Sequence, residues 1–284
     1  MSAPDPLARL RQQVRHWTAD AVLRAPDQWR RRGDVLDRLE ASGFQAEAGL
    51  SRQAAALREE LEAIHRDFCA TLRGAIRQGR GAEALIGLAA ADEGGAPDDN
   101  GDGYDALDAL LAEVLAPDAP SADIGELLPD MVFYQPTPAR HLLALLRRLD
   151  LRESDVLIDL GSGLGHLPLL TAILTPARAI GIEVEAAYVA NARRSADTLA
   201  LDRIRFLAGD VRTADLSTGT VFYLYSPFGG AMLGEVLALL EQMARARPLR
   251  LATLGPCTRD MAAVGWLHTR DAVRGDVPVL FHSR

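Results

Sequence analysis

The residues that could do chemistry in this 284-residue chain gather around one glycine-rich run. Val156-Leu157-Ile158-Asp159-Leu160-Gly161-Ser162-Gly163-Leu164-Gly165 is an apolar segment with an acid near its end, followed by glycine at alternating positions. Glycine permits positive φ and lets a ligand come close to the backbone. A helix beginning at His166 would turn its free N–H groups toward the same place. Gly181-Ile182-Glu183 closes a second apolar segment, where nucleotide-binding sheets hold ribose hydroxyls with a carboxylate. Ala208-Gly209-Asp210 closes a third, and a fourth, Val221 to Tyr225, runs into Ser226-Pro227-Phe228-Gly229-Gly230. Taken singly, each acid also reads as a helix cap or loop charge, and the glycines as a tight turn. Together they point to one cleft at the carboxyl ends of strands.

Positioning such a cleft takes alternating strands and helices. Short apolar runs at Val156–Leu160, Ala179–Glu183, Ile204–Leu207, Val221–Tyr225 and Leu249–Leu254 are separated by helical stretches, which predicts βαβ units and a parallel sheet. Trp266–Val273, the turn Arg274-Gly275-Asp276 and Val277–His282 predict an antiparallel hairpin. Residues 1–92 read as an N-terminal helical domain, with Leu7, Leu10, Val14 and Trp17, then Leu57, Leu61, Ile64, Phe68 and Leu72, at helical spacing. Residues 93–130 read as an acidic, proline-rich linker with a short helix from Asp105 to about Leu115. Asp98, Asn100, Asp102 and Gly103 match half of a calcium loop. The twelfth position, which needs a bidentate Glu, is Ala109, so an acidic linker stands beside an ion site as the reading. In the third part, 131–284, Thr137 is placed to cap a helix and Pro138 to enter its first turn.

Residues from about 134 onward resemble the class I S-adenosylmethionine-dependent methyltransferases. Asp159-Leu160-Gly161-Ser162-Gly163-Leu164-Gly165 is similar to that family's first motif, and the terminal hairpin to the antiparallel end of its seven-stranded Rossmann-like sheet. The resemblance implies S-adenosylmethionine as cofactor. Asp159, Gly161, Ser162, Gly163 and Gly165 would lie against its methionine part, Glu183 would hold the ribose, and Asp210 with Val211 would flank the adenine. A nicotinamide-dependent dehydrogenase would not be expected to show Asp159 or the hairpin. Tyr134, Gln135 and Thr137 also resemble the Tyr and Gln-Thr pair upstream of the loop in histone-lysine methyltransferases of this fold. Tyr225-Ser226-Pro227-Phe228 resembles the Asn-Pro-Pro-Tyr type motif of nitrogen methylases, with Ser in place of Asn and one proline missing. Tyr134, His166, Tyr225 and Ser226 are the candidates beside the transferred methyl. His166 reads either as a base or as a helix-start residue.

A net charge of −8 argues against adhesion to a polyanion, so a nucleic-acid acceptor is not expected; a small molecule or a peptide or protein group is. Cys69 and Cys257 are too few for a disulfide framework, and no Cys/His cluster has zinc spacing, so no metal is expected. No apolar run would span a bilayer, and the N-terminus lacks the pattern of a signal peptide, which predicts a cytoplasmic protein without membrane contact. The lysine-free, Ala-, Leu-, Gly- and Pro-rich composition reads as coding bias of a GC-rich bacterium. The alternative to a methyltransferase is a protein that binds the same cofactor for other chemistry or for regulation.

Overall fold

The computed structural model describes residues 6–41, 48–92, 104–115 and 134–284. Asp98, Asn100, Asp102 and Gly103, the half calcium loop, lie outside the described residues, as does most of the 93–130 linker. The chain divides into two compact units, Met1–Gly74 and Ala75–Arg284.

The first unit is helical: α1 (Pro6–Ala19), two 3₁₀ turns (Ala21–Arg24 and Pro26–Gln28), α2 (Trp29–Ala41), and all but the last turn of α3 (Ala48–Arg77). Val14 and Trp17 from the first apolar stripe bury against Val35, Leu39, Leu57 and Leu61, as spacing of three and four residues requires. Arg32 is buried among them. Its guanidinium donates to the Leu23 and Ala25 carbonyls at 3.0 and 2.7 Å, and so satisfies carbonyls that the short turns leave open.

The second unit is built on a seven-stranded sheet: β1 (Val156–Leu160), β2 (Arg178–Glu183), β3 (Ile204–Ala208), β4 (Val221–Tyr225), β5 (Arg250–Leu254), β6 (Leu267–Thr269) and β7 (Val279–Ser283). Its helices are α4 (Gly81–Asp92), α5 (Ala106–Leu115), α6 (Ala139–Leu149), α7 (His166–Leu174), α8 (Ala186–Thr198), α9 (Gly230–Ala244) and α10 (Cys257–Ala262). The strand order is β3-β2-β1-β4-β5-β7-β6. β1 to β5 run parallel, β7 is antiparallel to β5, and β6 to β7. β1 is buried at every position, as suits an apolar strand covered on both faces. Helix α4, which composition groups with the N-terminal helices, packs against α7.

The hairpin forms with shorter strands than the pattern predicts. Residues 270–278 make a long connection in place of a tight turn, because they have partners of their own. The Gly275 carbonyl accepts the Gly255 N–H at 2.9 Å, and the Asp271 carboxylate accepts from Leu280 N–H while pairing with Arg148. The connection is thereby drawn over the end of β5. The chain winds outward one way through β2 and β3 and the other way through β4 and β5. The loops therefore part above β1 and β4, which opens a crevice at the carboxyl ends of the strands.

Candidate active site

A cleft of about 1130 Å³ occupies that crevice. Its floor is the loop after β1, tied to β2 through the backbone. Gly161 and Ser162 N–H both donate to the Ile182 carbonyl, at 2.9 and 3.0 Å. The Glu183 carboxylate accepts from Gly163 N–H at 2.8 Å and from Glu185 N–H at 2.9 Å. Asp159 is 5% exposed; burial, with the Glu183 charge nearby, pushes its carboxyl well above the usual carboxylate range. Ser162 Oγ and His166 Nε2 are buried, line the cleft, and have no partner. Burial lowers the His166 pKa to about 4, so the imidazole is neutral near pH 7. Asp210 is held by Arg212, whose backbone and guanidinium N–H groups both donate to it; these bonds lower its pKa.

Over the loop lies an extended strap, residues 134–138. Gly163 has φ +51°, and a Cβ there would sit 2.0 Å from Tyr134 Cε2, so the aromatic ring rests directly on the glycine. Tyr188 of α8 flanks it at 5.1 Å between ring centroids. Burial raises the Tyr134 pKa, which keeps the side chain a phenol. Thr137 does not cap α6. Pro138 takes the N-cap position without a side-chain bond, and Thr137 Oγ1 instead lies 2.8 Å from the hydroxyl of Tyr223, a buried residue of β4. The cap comes from another helix: Asp108 of α5 accepts the Ala139 N–H at 2.6 Å.

The far wall carries Tyr225, Ser226, Pro227 and Phe228. Ser226 has φ +43°. Its hydroxyl donates to the Leu254 carbonyl at 3.1 Å and accepts from Cys257 N–H at 3.0 Å, so it fastens β4 to the turn after β5. Arg140, His141, Asp260 and Asp276 line the mouth.

Of the residues that the pattern singles out, Tyr134, Gln135, Thr137, Asp159, Gly161, Ser162, His166, Glu183, Asp210, Val211, Tyr225 and Ser226 line this cleft. Gly163 and Gly165 do not line it. They permit close packing, the first under Tyr134 and the second against Phe206, whose Cε1 would lie 2.5 Å from an added Cβ. The sequence reading passed over Tyr188, Tyr223 and Asp108. Only Asp108 left a signal, as an acid in the first turn of a predicted helix.

The family model described as histone methylation protein DOT1 matches residues 131–218, from the strap through the glycine loop to the residues after β3. The chain carries the class I S-adenosylmethionine-dependent methyltransferase fold. Solved structures similar to it include an RNA methyltransferase from Salinibacter ruber in complex with S-adenosyl-L-homocysteine, 27% identical over 52% of this chain and 92% of that one, TM-score 0.43. The putative methyltransferase yhhF from Escherichia coli is 20% identical over 54% and 89%, TM-score 0.45. The M1A22 tRNA methyltransferase TrmK of B. subtilis is 17% identical over 52% and 66%, TM-score 0.41. No curated protein matches the chain.

The expectation about acceptors is corrected here: RNA methyltransferases are among these similar proteins, so nucleic acid is not set aside. The acidity is also uneven along the sequence. Residues 81–133 hold 13 acidic residues and no Arg, whereas residues 134–284 hold 15 acidic residues and 17 Arg. Among the described residues no helix is long and apolar enough to cross a membrane.

Proposed function

We propose that the chain transfers the methyl group of S-adenosylmethionine to a nitrogen or oxygen nucleophile, with residues 131–284 as the catalytic module. One observation carries this reading. The turn after β1 and the first residue of α7 leave Ser162 Oγ and His166 Nε2 buried without partners in the cleft, near the Asp159 and Glu183 carboxylates. Buried polar atoms in a roomy cleft call for a ligand that satisfies them. The donor and acceptor set fits an amino acid joined to a nucleoside.

When bound, S-adenosylmethionine supplies a methyl on a good leaving group, so alignment is the main task left to the protein. Asp159, Gly161 and Ser162 would hold its amino-acid part. Glu183, with one lone pair on each oxygen engaged by an amide, would take the ribose hydroxyls on the others. Asp210 and Val211 would flank the base, and Gln135 and Thr137 would close the cleft from the strap. Tyr134 and Tyr225 present neutral ring faces around the methyl position, since burial raises both phenols. A histidine titrating near 4 is too weak a base to take a proton from an alkylammonium group, so His166 orients a ligand. Ser226 spends its hydroxyl on Leu254 and Cys257. The acceptor therefore loses its proton to solvent, and turnover rises with pH through the acceptor's own pKa.

The match of the histone-methylation model across the strap and loop favours a protein amine as acceptor. A bacterial cytoplasmic setting fits an arginine-only basic composition and two cysteines far apart in sequence. Calorimetry with S-adenosylmethionine and S-adenosylhomocysteine tests the cofactor. Asp159→Ala and Glu183→Ala are expected to abolish measurable binding, and unchanged affinity would sink the site. Tritiated methyl transfer to cell extract, split by protease and by ribonuclease, tests the acceptor. Label lost with ribonuclease would replace the protein amine with RNA.

A further inference from the structure

Tyr134 reaches its place on Gly163 from a strap with no secondary structure of its own, so something else must hold the strap. Two of its supports come from a short stretch of chain that lies well before it in sequence and outside the cleft lining. The Tyr104 hydroxyl donates to the Pro136 carbonyl at 2.5 Å. The Asp108 carboxylate accepts the Ala139 N–H at 2.6 Å with one oxygen and the Asp105 N–H at 2.7 Å with the other. That single carboxylate therefore bridges the N-terminal turns of α5 and α6, where free N–H groups and the helix dipoles favour an anion. The base of this clasp is firm: Leu107, Leu110, Leu111, Val114 and Leu115 are buried, and α5 packs on both α6 and α7. Because α7 starts at the glycine loop, the clasp joins the strap and the loop beneath it to one helix.

We infer that Tyr104 and Asp108 are positioning residues for the cofactor cleft. They touch no ligand. They act through Pro136 and Ala139 to hold Tyr134 over Gly163. Without them the strap keeps only its cleft-side bonds, Thr137 to Tyr223 and Tyr134 to the Leu164 backbone, and the upper wall of the cleft loosens. The effect on a ligand rests on the S-adenosylmethionine reading; the effect on the strap does not.

The test has two arms on the full chain. In the first, amide hydrogen exchange is followed without ligand in Asp108→Ala, Tyr104→Phe and Asp108→Asn. Exchange over 134–142 is expected to speed up about tenfold in Asp108→Ala, less in Tyr104→Phe, and least in Asp108→Asn, which keeps one acceptor oxygen. β1 and α7 should stay at the wild-type rate. Unchanged exchange over 134–142, or an equal rise across β1 and α7, would overturn the inference. In the second arm, S-adenosylhomocysteine binding kinetics should show dissociation about tenfold faster in Asp108→Ala, largely restored in Asp108→Asn. Wild-type dissociation in Asp108→Ala despite a loosened strap would also overturn it. A wild-type chain that binds no S-adenosylhomocysteine would remove the cofactor reading and leave the first arm to decide the clasp.

Discussion

At the ends of β1, β2 and β3 the cleft wall is fastened through backbone amides, whereas at β4 and β5 it is fastened by a side chain and a long connection. On the first side, amides of Gly161, Ser162 and Gly163 are tied to Ile182 and Glu183, and the neighbouring surfaces come so close that only glycine fits. On the second side, Ser226, Cys257 and the 270–278 connection hold one another through a serine hydroxyl and one backbone bond, Gly255 to Gly275. A wall fastened through backbone suits a ligand that never changes. A wall made of side chains and a long connection can be re-cut for one acceptor or another without disturbing the other half.

Three substitutions test that division. The largest effect is expected from Gly163→Ala, which meets the Tyr134 ring at 2.0 Å and forces a β-carbon to φ +51°. S-adenosylhomocysteine affinity should drop about 100-fold, close to 3 kcal/mol. An alanine variant that binds like wild type would show that the backbone side is not built around this contact. Ser226→Ala should act on the other wall alone. Leaving the Cys257 N–H without its acceptor, while the Leu254 carbonyl keeps the Cys257 thiol, lowers stability in urea by about 1–3 kcal/mol, with S-adenosylhomocysteine affinity within twofold of wild type. Lost turnover at unchanged stability would instead make the serine a participant in chemistry. The smallest effect concerns pH. His166 titrates near 4 in the fold, below its ordinary 6.5, so the unfolded chain binds the extra proton first. Its contribution to stability is complete above pH 6.5 and is lost as pH falls toward 4. Between about pH 6.5 and pH 5, His166→Gln should flatten the stability–pH curve by about 1–2 kcal/mol. A curve of unchanged slope would place the imidazole in water.

The same contrast decides what could be read from residues alone. Strand boundaries at β1 and β4 agree residue for residue with the apolar runs, and the glycine spacing located the floor of the cleft, because backbone constraints leave a local pattern. Thr137 was misread as a helix cap for want of the partners 86 residues and 31 residues distant in sequence that bind it and Ala139. Arg274-Gly275-Asp276 has the composition of a tight turn, while the anchor of the connection, Gly255, follows β5 and is distant in sequence. Net charge misled for a different reason: a sum over the whole chain does not report the charge that an acceptor meets at one cleft.

Glu183 settles a matter of timing. Both of its oxygens are already claimed by the amides of Gly163 and Glu185, so the carboxylate is aimed before any ligand arrives. A diol that docks on the free lone pairs need not wait for a side chain to swing or a loop to freeze, because folding has already met that ordering cost. Encounter on this side of the cleft should therefore run at a rate set by diffusion and by the strap overhead, with little rearrangement of the glycine loop itself.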